Sequence, residues 1–169
     1  NEETYDAVVL ATHSDQALDL LDRPSGDERS ILGGIDYKEN SVLLHTDQSV
    51  LPRNRSIWAS WNYHRGRGSQ SDPTVTYNMN ILQDLGFDRP VCVSLNSGDS
   101  VAFESVLDEF SYAHPVYTRD ALKSQNRKGE ICGRGGVYYA GAYWGNGFHE
   151  DGTESAVNVA RKLGVEEPF

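Results

Sequence analysis

The pattern of apolar and polar residues differs between the two ends of the chain and its middle, and each pattern predicts its own kind of secondary structure. Residues 7–11 form an uninterrupted apolar run, typical of a strand buried on both faces in a parallel sheet. A second such run, residues 137–140, lies in the last third of the chain. From Thr153 onward small and apolar residues recur at helical spacing as far as Gly164, which predicts a helix. The two ends of the chain therefore predict one layer of parallel strands and helix.

The middle of the chain alternates apolar and polar residues over short runs, without long helical patterns between them. This is typical of an antiparallel sheet. Strands are predicted at residues 41–46, 57–64, 74–79, 90–96 and 106–112, with an entry turn at 38–40 and a loop at 65–73. The pattern divides the chain into a strand and helix at 1–21, an antiparallel-sheet domain at 22–126 and a strand-loop-helix at 127–169.

Charge and composition exclude some classes of partner. The formal net charge of -10 argues against nucleic acid, which calls for clustered Lys and Arg. A short basic cluster lies among aromatic residues at Arg53, Arg55, Arg65 and Arg67, and we interpret it as a solvated rim rather than a patch for an anionic head group.

Cysteine usage and hydropathy indicate a cytoplasmic protein. Cys92 and Cys132 have no CxxC spacing, so we expect two reduced thiols rather than a zinc site or a disulfide scaffold. No apolar run reaches the roughly 18 residues of a membrane span, so no integral membrane segment is predicted.

A loop of glycines and aromatic residues joins the second apolar run to the last helix. Its end carries Glu150 and Asp151, acidic residues suited to the first turn of a helix. A strand, a glycine-rich crossing and a helix N-terminus bring free backbone N–H groups to one place, where a polar ligand edge can bind. The same pattern also occurs in α/β proteins without a cofactor.

Two runs in this stretch carry a resemblance to a known family. Val137-Tyr138-Tyr139-Ala140-Gly141 and Gly147-Phe148-His149-Glu150-Asp151-Gly152 resemble the C-terminal cofactor segment of flavin-containing amine oxidoreductases, above all their predicted NAD/FAD-binding branch. The opening run resembles a strand of the same family, with His13 where proline is usual. The resemblance covers nearly the whole chain, as the C-terminal part of a longer protein. It implies α/β plus α+β architecture: part of a doubly wound, Rossmann-like FAD-binding domain with an antiparallel-sheet substrate domain inserted.

The resemblance also implies the residues of a site. Tyr138 and Phe148 match the two aromatic positions that flank the substrate above the flavin, and Phe148 lacks the usual tyrosine hydroxyl, which allows an apolar substrate. His45 stands in a strand where the family places a catalytic lysine; it is the candidate proton-handling group, with a purely structural histidine as the alternative. The implied cofactor-binding residues are Ala11, Thr12, Gly141, Ala142, Tyr143, Trp144, Gly147, Phe148, His149, Glu150, Asp151 and Gly152. Ala142 departs from the family, whose members often carry Asp or Glu there.

The implied function is that of the C-terminal portion of a FAD-dependent oxidoreductase. Its substrate would be a small apolar molecule, such as a fatty acyl chain, or an amine. The fingerprint GxGxxG, which in the family holds the pyrophosphate, occurs nowhere in this sequence. We therefore expect non-covalent FAD binding to need an N-terminal half of the same protein, and the chain alone to be inactive. The alternative is a non-catalytic binding or assembly domain derived from a flavoprotein.

A metal site is not predicted. The nearest combination, His149, Glu150 and Asp151 with a histidine from elsewhere, has three consecutive residues at a helix start, and these point in different directions.

Overall fold

The computed structural model describes residues 2–65 and 74–165, and the chain divides into two units. One unit comprises Asn1–Lys38 and Pro115–Phe169, and the other comprises Glu39–His114. The predicted loop at 65–73 lies outside the described residues except for Arg65. None of the helices in the described ranges combines the length and the hydropathy that a membrane span requires.

The helices and strands are as follows, in chain order. The strands are β1 (Val8–Leu10), β2 (Asp36–His45), β3 (Trp61–His64), β4 (Thr74–Asn78), β5 (Cys92–Leu95), β6 (Val106–Val116) and β7 (Val137–Tyr139). The helices are α1 (Ser14–Asp19), α2 (Gly26–Leu32), α3 (Met79–Leu82), α4 (Arg119–Asn126) and α5 (His149–Lys162), and short 3₁₀ turns connect several elements. The entry turn predicted at 38–40 is wrong, because these residues continue β2.

The two apolar runs pair as the parallel strands β1 and β7. Val8 lies opposite Val137 and Leu10 opposite Tyr139, and the N–H of Ala140 donates to the carbonyl of Leu10 at 3.0 Å. The prediction that the first run is buried on both faces is wrong, since Val8 and Val9 are 44% and 43% exposed. The physical reason is that this sheet has two strands in the described chain, so β1 has a neighbour on one side only. A larger doubly wound layer stays a prediction.

The core of the first unit forms where helices pack around β7. It includes buried side chains from α2, β7 and α5, among them Ile31, Leu32, Tyr139 and Val159. Because α2 buries Ile31 and Leu32 in this core, and Ala121 of α4 is buried with Ile35 and Tyr143 in a second cluster of the same unit, residues 22–38 and 115–126 belong to this unit and not to the predicted antiparallel domain.

Glu28 links the start of α2 to the strand β7. Its carboxylate accepts from the N–H of Ser25 at 2.7 Å, and the Ser25 hydroxyl accepts from the N–H of Glu28 at 3.2 Å, which forms a capping box. The buried Tyr139 hydroxyl donates to the same carboxylate at 2.7 Å. Burial raises the pKa of Glu28, but the hydrogen bonds from Tyr139 and Ser25 outweigh it, so the pKa lies below its usual value.

Tyr139→Phe is expected to lower the free energy of unfolding by about 1–3 kcal/mol at neutral pH, because it removes a hydrogen bond to a charged group. A carboxyl whose folded pKa is lowered stabilises the fold above its unfolded pKa of about 4.3, and this stability is lost as the pH falls through the folded pKa. The variant should therefore lose less stability on acidification than the wild type. Urea denaturation at neutral pH and below about pH 4 measures both effects.

Tyr138→Phe is the matched control for this substitution. The Tyr138 hydroxyl makes no hydrogen bond within the described residues, so its removal should leave the acid sensitivity unchanged. Equal acid sensitivity in the wild type and Tyr139→Phe would show that Glu28 does not depend on this hydroxyl.

The second unit is built on a five-stranded sheet with the order β3-β4-β5-β2-β6. The pairs β3–β4, β4–β5 and β5–β2 are antiparallel. Their register places Thr76 of β4 opposite Ser94 of β5, and Cys92 of β5 opposite His45 of β2. The strand predicted at 57–64 is shorter, because Arg55–Ile57 forms a 3₁₀ turn capped by the Asn54 side chain.

Candidate functional site

The carboxyl ends of the parallel strands β1 and β7 lie at the same edge of their sheet. Ala11 and Thr12 follow β1 there and are exposed. Gly141 and Ala142 follow β7 by way of Ala140, whose N–H continues the ladder. In α/β sheets ligands bind beyond the carboxyl ends of parallel strands, so this edge is the first element of a candidate site.

The loop after β7 is held in place by backbone and side-chain hydrogen bonds. The N–H of Gly141 donates to the Ser155 hydroxyl at 3.0 Å, which ties the loop to α5. The carbonyl of Ala142 accepts from the N–H groups of Gly145 and Gly147 at 3.0 and 3.2 Å. Gly147 has φ +87°, and a Cβ atom there would collide with the Tyr117 hydroxyl. Only glycine fits this position without strain.

Helix α5 begins directly after this loop, at His149. This is four residues before Thr153, where the helical spacing of small and apolar residues starts. Phe148 is its N-cap, and the carboxylate of Asp151 accepts from the N–H of Phe148 at 2.8 Å. The first bond of the helix runs from the N–H of Gly152 to the carbonyl of Phe148. The N–H groups of His149, Glu150 and Asp151 come before that bond and have no acceptor within the helix. They give this end of the site hydrogen-bond donors and the positive end of a helix dipole.

Tyr143 and Trp144 fill the loop with aromatic rings. Tyr143 is buried, and its hydroxyl and the Trp144 Nε1 have no hydrogen-bond partner in the described chain. Burial raises the pKa of the Tyr143 hydroxyl, so it stays a neutral donor. The Lys128 Nζ lies 5.2 Å from the centre of the Trp144 ring and donates to the Ser155 hydroxyl at 3.0 Å. Burial lowers the pKa of Lys128.

Three residues that hold this loop were not predicted from the sequence. Gln125 donates to the carbonyls of Tyr143 and Gly145 at 2.9 and 2.6 Å, and Lys128 and Ser155 make the contacts given above. None of the three carries a motif in the sequence that indicates these contacts.

The predicted aromatic residues lie in the same unit as this edge. Tyr138 is in β7, half-buried against the core, with its ring close to Gly133. The Phe148 ring is 69% exposed at the start of α5. The first unit therefore contains every predicted cofactor-binding residue together with Tyr138 and Phe148.

His45 belongs to the second unit and is fully buried at the end of β2. Its Nε2 lies 2.8 Å from the Ser94 hydroxyl, and its Nδ1 accepts from the N–H of Asp47 at 3.2 Å. Burial lowers the pKa of His45, although the nearby Asp47 carboxylate opposes this. Both ring nitrogens are bonded and the ring is neutral, which favours the structural role. A catalytic role for His45 stays a prediction that these contacts do not support.

Comparison with known proteins leaves the resemblance as a prediction. No protein-family model matches the chain, and no curated protein matches it. Across residues 2–65 and 74–165, no group of three or more His, Cys, Asp and Glu side chains is placed to hold a metal ion.

Proposed function

We propose that the chain contributes part of the FAD site of an oxidoreductase related to flavin-containing amine oxidases. One observation carries the proposal: the N-terminus of α5, with unpaired N–H groups, follows directly on the loop that leaves the carboxyl end of β7. This order of strand, glycine-rich loop and helix start is the arrangement that binds the polar edge of a cofactor in α/β proteins.

The residues of this edge suit one part of a flavin. The backbone N–H groups of His149, Glu150 and Asp151 would donate to the oxygen-rich pyrimidine edge, where the helix dipole favours negative charge. When bound, the flavin supplies the electron transfer itself. Ala142 adds no polar contact, and the Asp151 carboxylate is already occupied by the N–H of Phe148. The chain therefore offers contacts to the ring rather than to the phosphates.

The exposed Phe148 ring supports an apolar substrate or the apolar part of an amine. A residue with this much apolar surface beside a polar helix start presents a hydrophobic wall to a bound molecule. We propose that Phe148 and Tyr138 contact the substrate. The two cysteines are free and buried, which supports our proposal of a cytoplasmic location.

His149→Pro is expected to weaken binding of riboflavin 5′-phosphate to the chain by about threefold to tenfold, because it removes one backbone donor worth about 0.5–1.5 kcal/mol. Proline is tolerated at the first helical position, and the extended backbone of Phe148 suits a residue before proline. His149→Ala keeps the N–H and should change binding less than twofold. Amide shifts in ¹⁵N spectra, recorded with millimolar ligand, measure the affinity and locate the site.

The two variants distinguish the contribution of the His149 backbone N–H to binding from that of its imidazole side chain. A loss of binding in His149→Ala with normal binding in His149→Pro would make the imidazole the ligand. Tight FAD binding is expected to need the N-terminal half, so the test looks only for the weak ring contacts of this chain at millimolar ligand. An unchanged spectrum at residues 147–152 in the wild type under these conditions would contradict a role of this helix start in flavin binding. Circular dichroism of both variants checks that α5 is intact.

A further inference from the structure

We propose that the second unit binds a small organic carboxylate in a cavity beside β3 and β4. This site is independent of the flavin proposal. The cavity has a volume of about 490 Å³, within the range of small-molecule sites. Its lining includes Leu51, Arg53, His64, Thr76, Ser97 and Ser100.

A chain of hydrogen bonds under the cavity sets the direction of the Thr76 hydroxyl. Nδ1 of His45 accepts a backbone N–H, so the proton of the neutral ring is on Nε2 and is donated to the Ser94 hydroxyl at 2.8 Å. Ser94 Oγ and Thr76 Oγ1 lie 2.7 Å apart, and either hydroxyl could be the donor. Ser94 is fully buried and has no other acceptor among the described residues, so donation from Ser94 to Thr76 is the arrangement that leaves no buried proton unpaired. The proton of the Thr76 hydroxyl has no acceptor in the described chain. Since Thr76 lines the cavity, this proton is available to a bound acceptor.

Ser97 is a second polar group that the fold leaves without a partner. The residue lines the cavity and is 7% exposed, and its hydroxyl makes no hydrogen bond in the described chain. A buried hydroxyl without a partner is costly and uncommon, and a ligand oxygen within its reach would remove that cost. The site thus has two hydroxyl groups that need a partner.

The charges around the cavity favour an anion. Arg53 and His64 line it, and no carboxylate does so among the described residues. For Arg53 we therefore propose anion binding in place of the solvated rim predicted from the sequence. Arg53 makes no ion pair in the part of the chain that the structure describes. The carboxylate nearest in sequence, Asp47, is already bonded to the N–H groups of Ser49 and Ala102 at 2.8 and 2.9 Å. In a chain of net charge -10, this is a local site for negative charge.

The remaining wall of the cavity is apolar and determines the class of anion. Val50, Leu51 and Pro52 line it side by side, and Leu51 is buried. A bare inorganic anion would leave this wall in contact with water, whereas a short alkyl chain would cover it. The geometry therefore points to a carboxylate with a small apolar body, with its charged end at Arg53 and the Thr76 hydroxyl.

Hexanoate is the probe, with acetate and inorganic phosphate as the two comparison ligands. Titration calorimetry of the full chain should give tighter binding for hexanoate than for either. Arg53→Gln should weaken hexanoate binding at least about tenfold, since it removes a charged hydrogen-bond donor. Arg55→Gln is the matched control, because Arg55 bonds to Gln48, stacks on Trp58 and does not line the cavity.

Thr76→Val and Thr76→Ser test the hydroxyl separately from the charge. Valine keeps the shape and should weaken binding by about threefold to tenfold, whereas serine keeps the donor and should bind as the wild type does. Equal effects of Arg53→Gln and Arg55→Gln would overturn the proposal. Tighter binding of phosphate than of hexanoate, or no binding of hexanoate at all, would also overturn it. The Arg53 comparison holds even if Thr76→Val fails to fold, because both arginines are on the surface.

Discussion

Gly136→Ala is expected to lower the free energy of unfolding of the first unit by about 2–5 kcal/mol. Gly136 has φ +79°, a region that side chains disfavour by about 1–2 kcal/mol. In addition, a Cβ atom would lie 2.7 Å from the carbonyl oxygen of Asp6, which belongs to the backbone entering β1. Relief of this contact requires the two parallel strands to move apart. Urea denaturation measures the loss, and faster hydrogen exchange at the Ala140 amide would locate it in the β1–β7 ladder.

Gly135→Ala is the control for this substitution, one position away. Gly135 has φ +60°, but a Cβ atom there would meet no other atom within 4 Å. Its cost should be the backbone strain alone, about 1–2 kcal/mol. Equal losses for the two glycines would show that the approach of β1 to Gly136 does not constrain the fold.

His45→Leu is expected to lower the free energy of unfolding by about 2–5 kcal/mol. The substitution leaves the N–H of Asp47 without its acceptor and removes one of the two partners of the Ser94 hydroxyl, which keeps Thr76. Both groups stay buried or half-buried. It should also change how the free energy of unfolding depends on pH. The lowered pKa of His45 means that the unfolded chain takes up a proton first as the pH falls below about 6.5.

In the wild type, the stability contributed by the neutral, buried His45 should therefore be fully present above about pH 6.5 and be lost as the pH falls toward the folded pKa of His45. In His45→Leu, the free energy of unfolding should not show this decrease with falling pH. His114→Leu is the control, since His114 is an exposed histidine of the same unit whose Nδ1 meets the Asn40 amide. Denaturation curves between about pH 5 and 8 decide the matter: an unchanged slope in His45→Leu would mean that another group titrates.

Some of the fold could be predicted from local patterns and some could not. Alternation located β4 and β5 to within a few residues, because each strand carries its own pattern. The exposure of Val8 and Val9 could not be predicted, because it depends on which strands lie beside β1. The apolar periodicity of α5 begins only at Thr153, but Glu150 and Asp151 predicted a first helical turn before it, and the helix does begin at His149 with the Asp151 cap.

The candidate site shows the same division between local and distant information. The glycines and acidic residues of 147–152 locate a helix start after a loop, and that feature is local. The role of His45 is not local, because Ser94 is 49 positions away and reaches the ring through the β2–β5 pairing. The cavity beside β3 and β4 has no motif at all. It exists because residues from the 3₁₀ turn at 48–50, from β4 and from the loop after β5 meet in space.

The distribution of the two cysteines has a practical consequence. Cys132 is buried in the first unit and Cys92 in the second, and burial raises the pKa of Cys92 to about 11. A buried thiol does not react with alkylating reagents until the surrounding structure opens, and the raised pKa of Cys92 lowers the reactivity of that thiol further. Each unit thus carries a natural reporter of its own opening. In a single labelling experiment, the peptide that gains mass first identifies the unit that opens first.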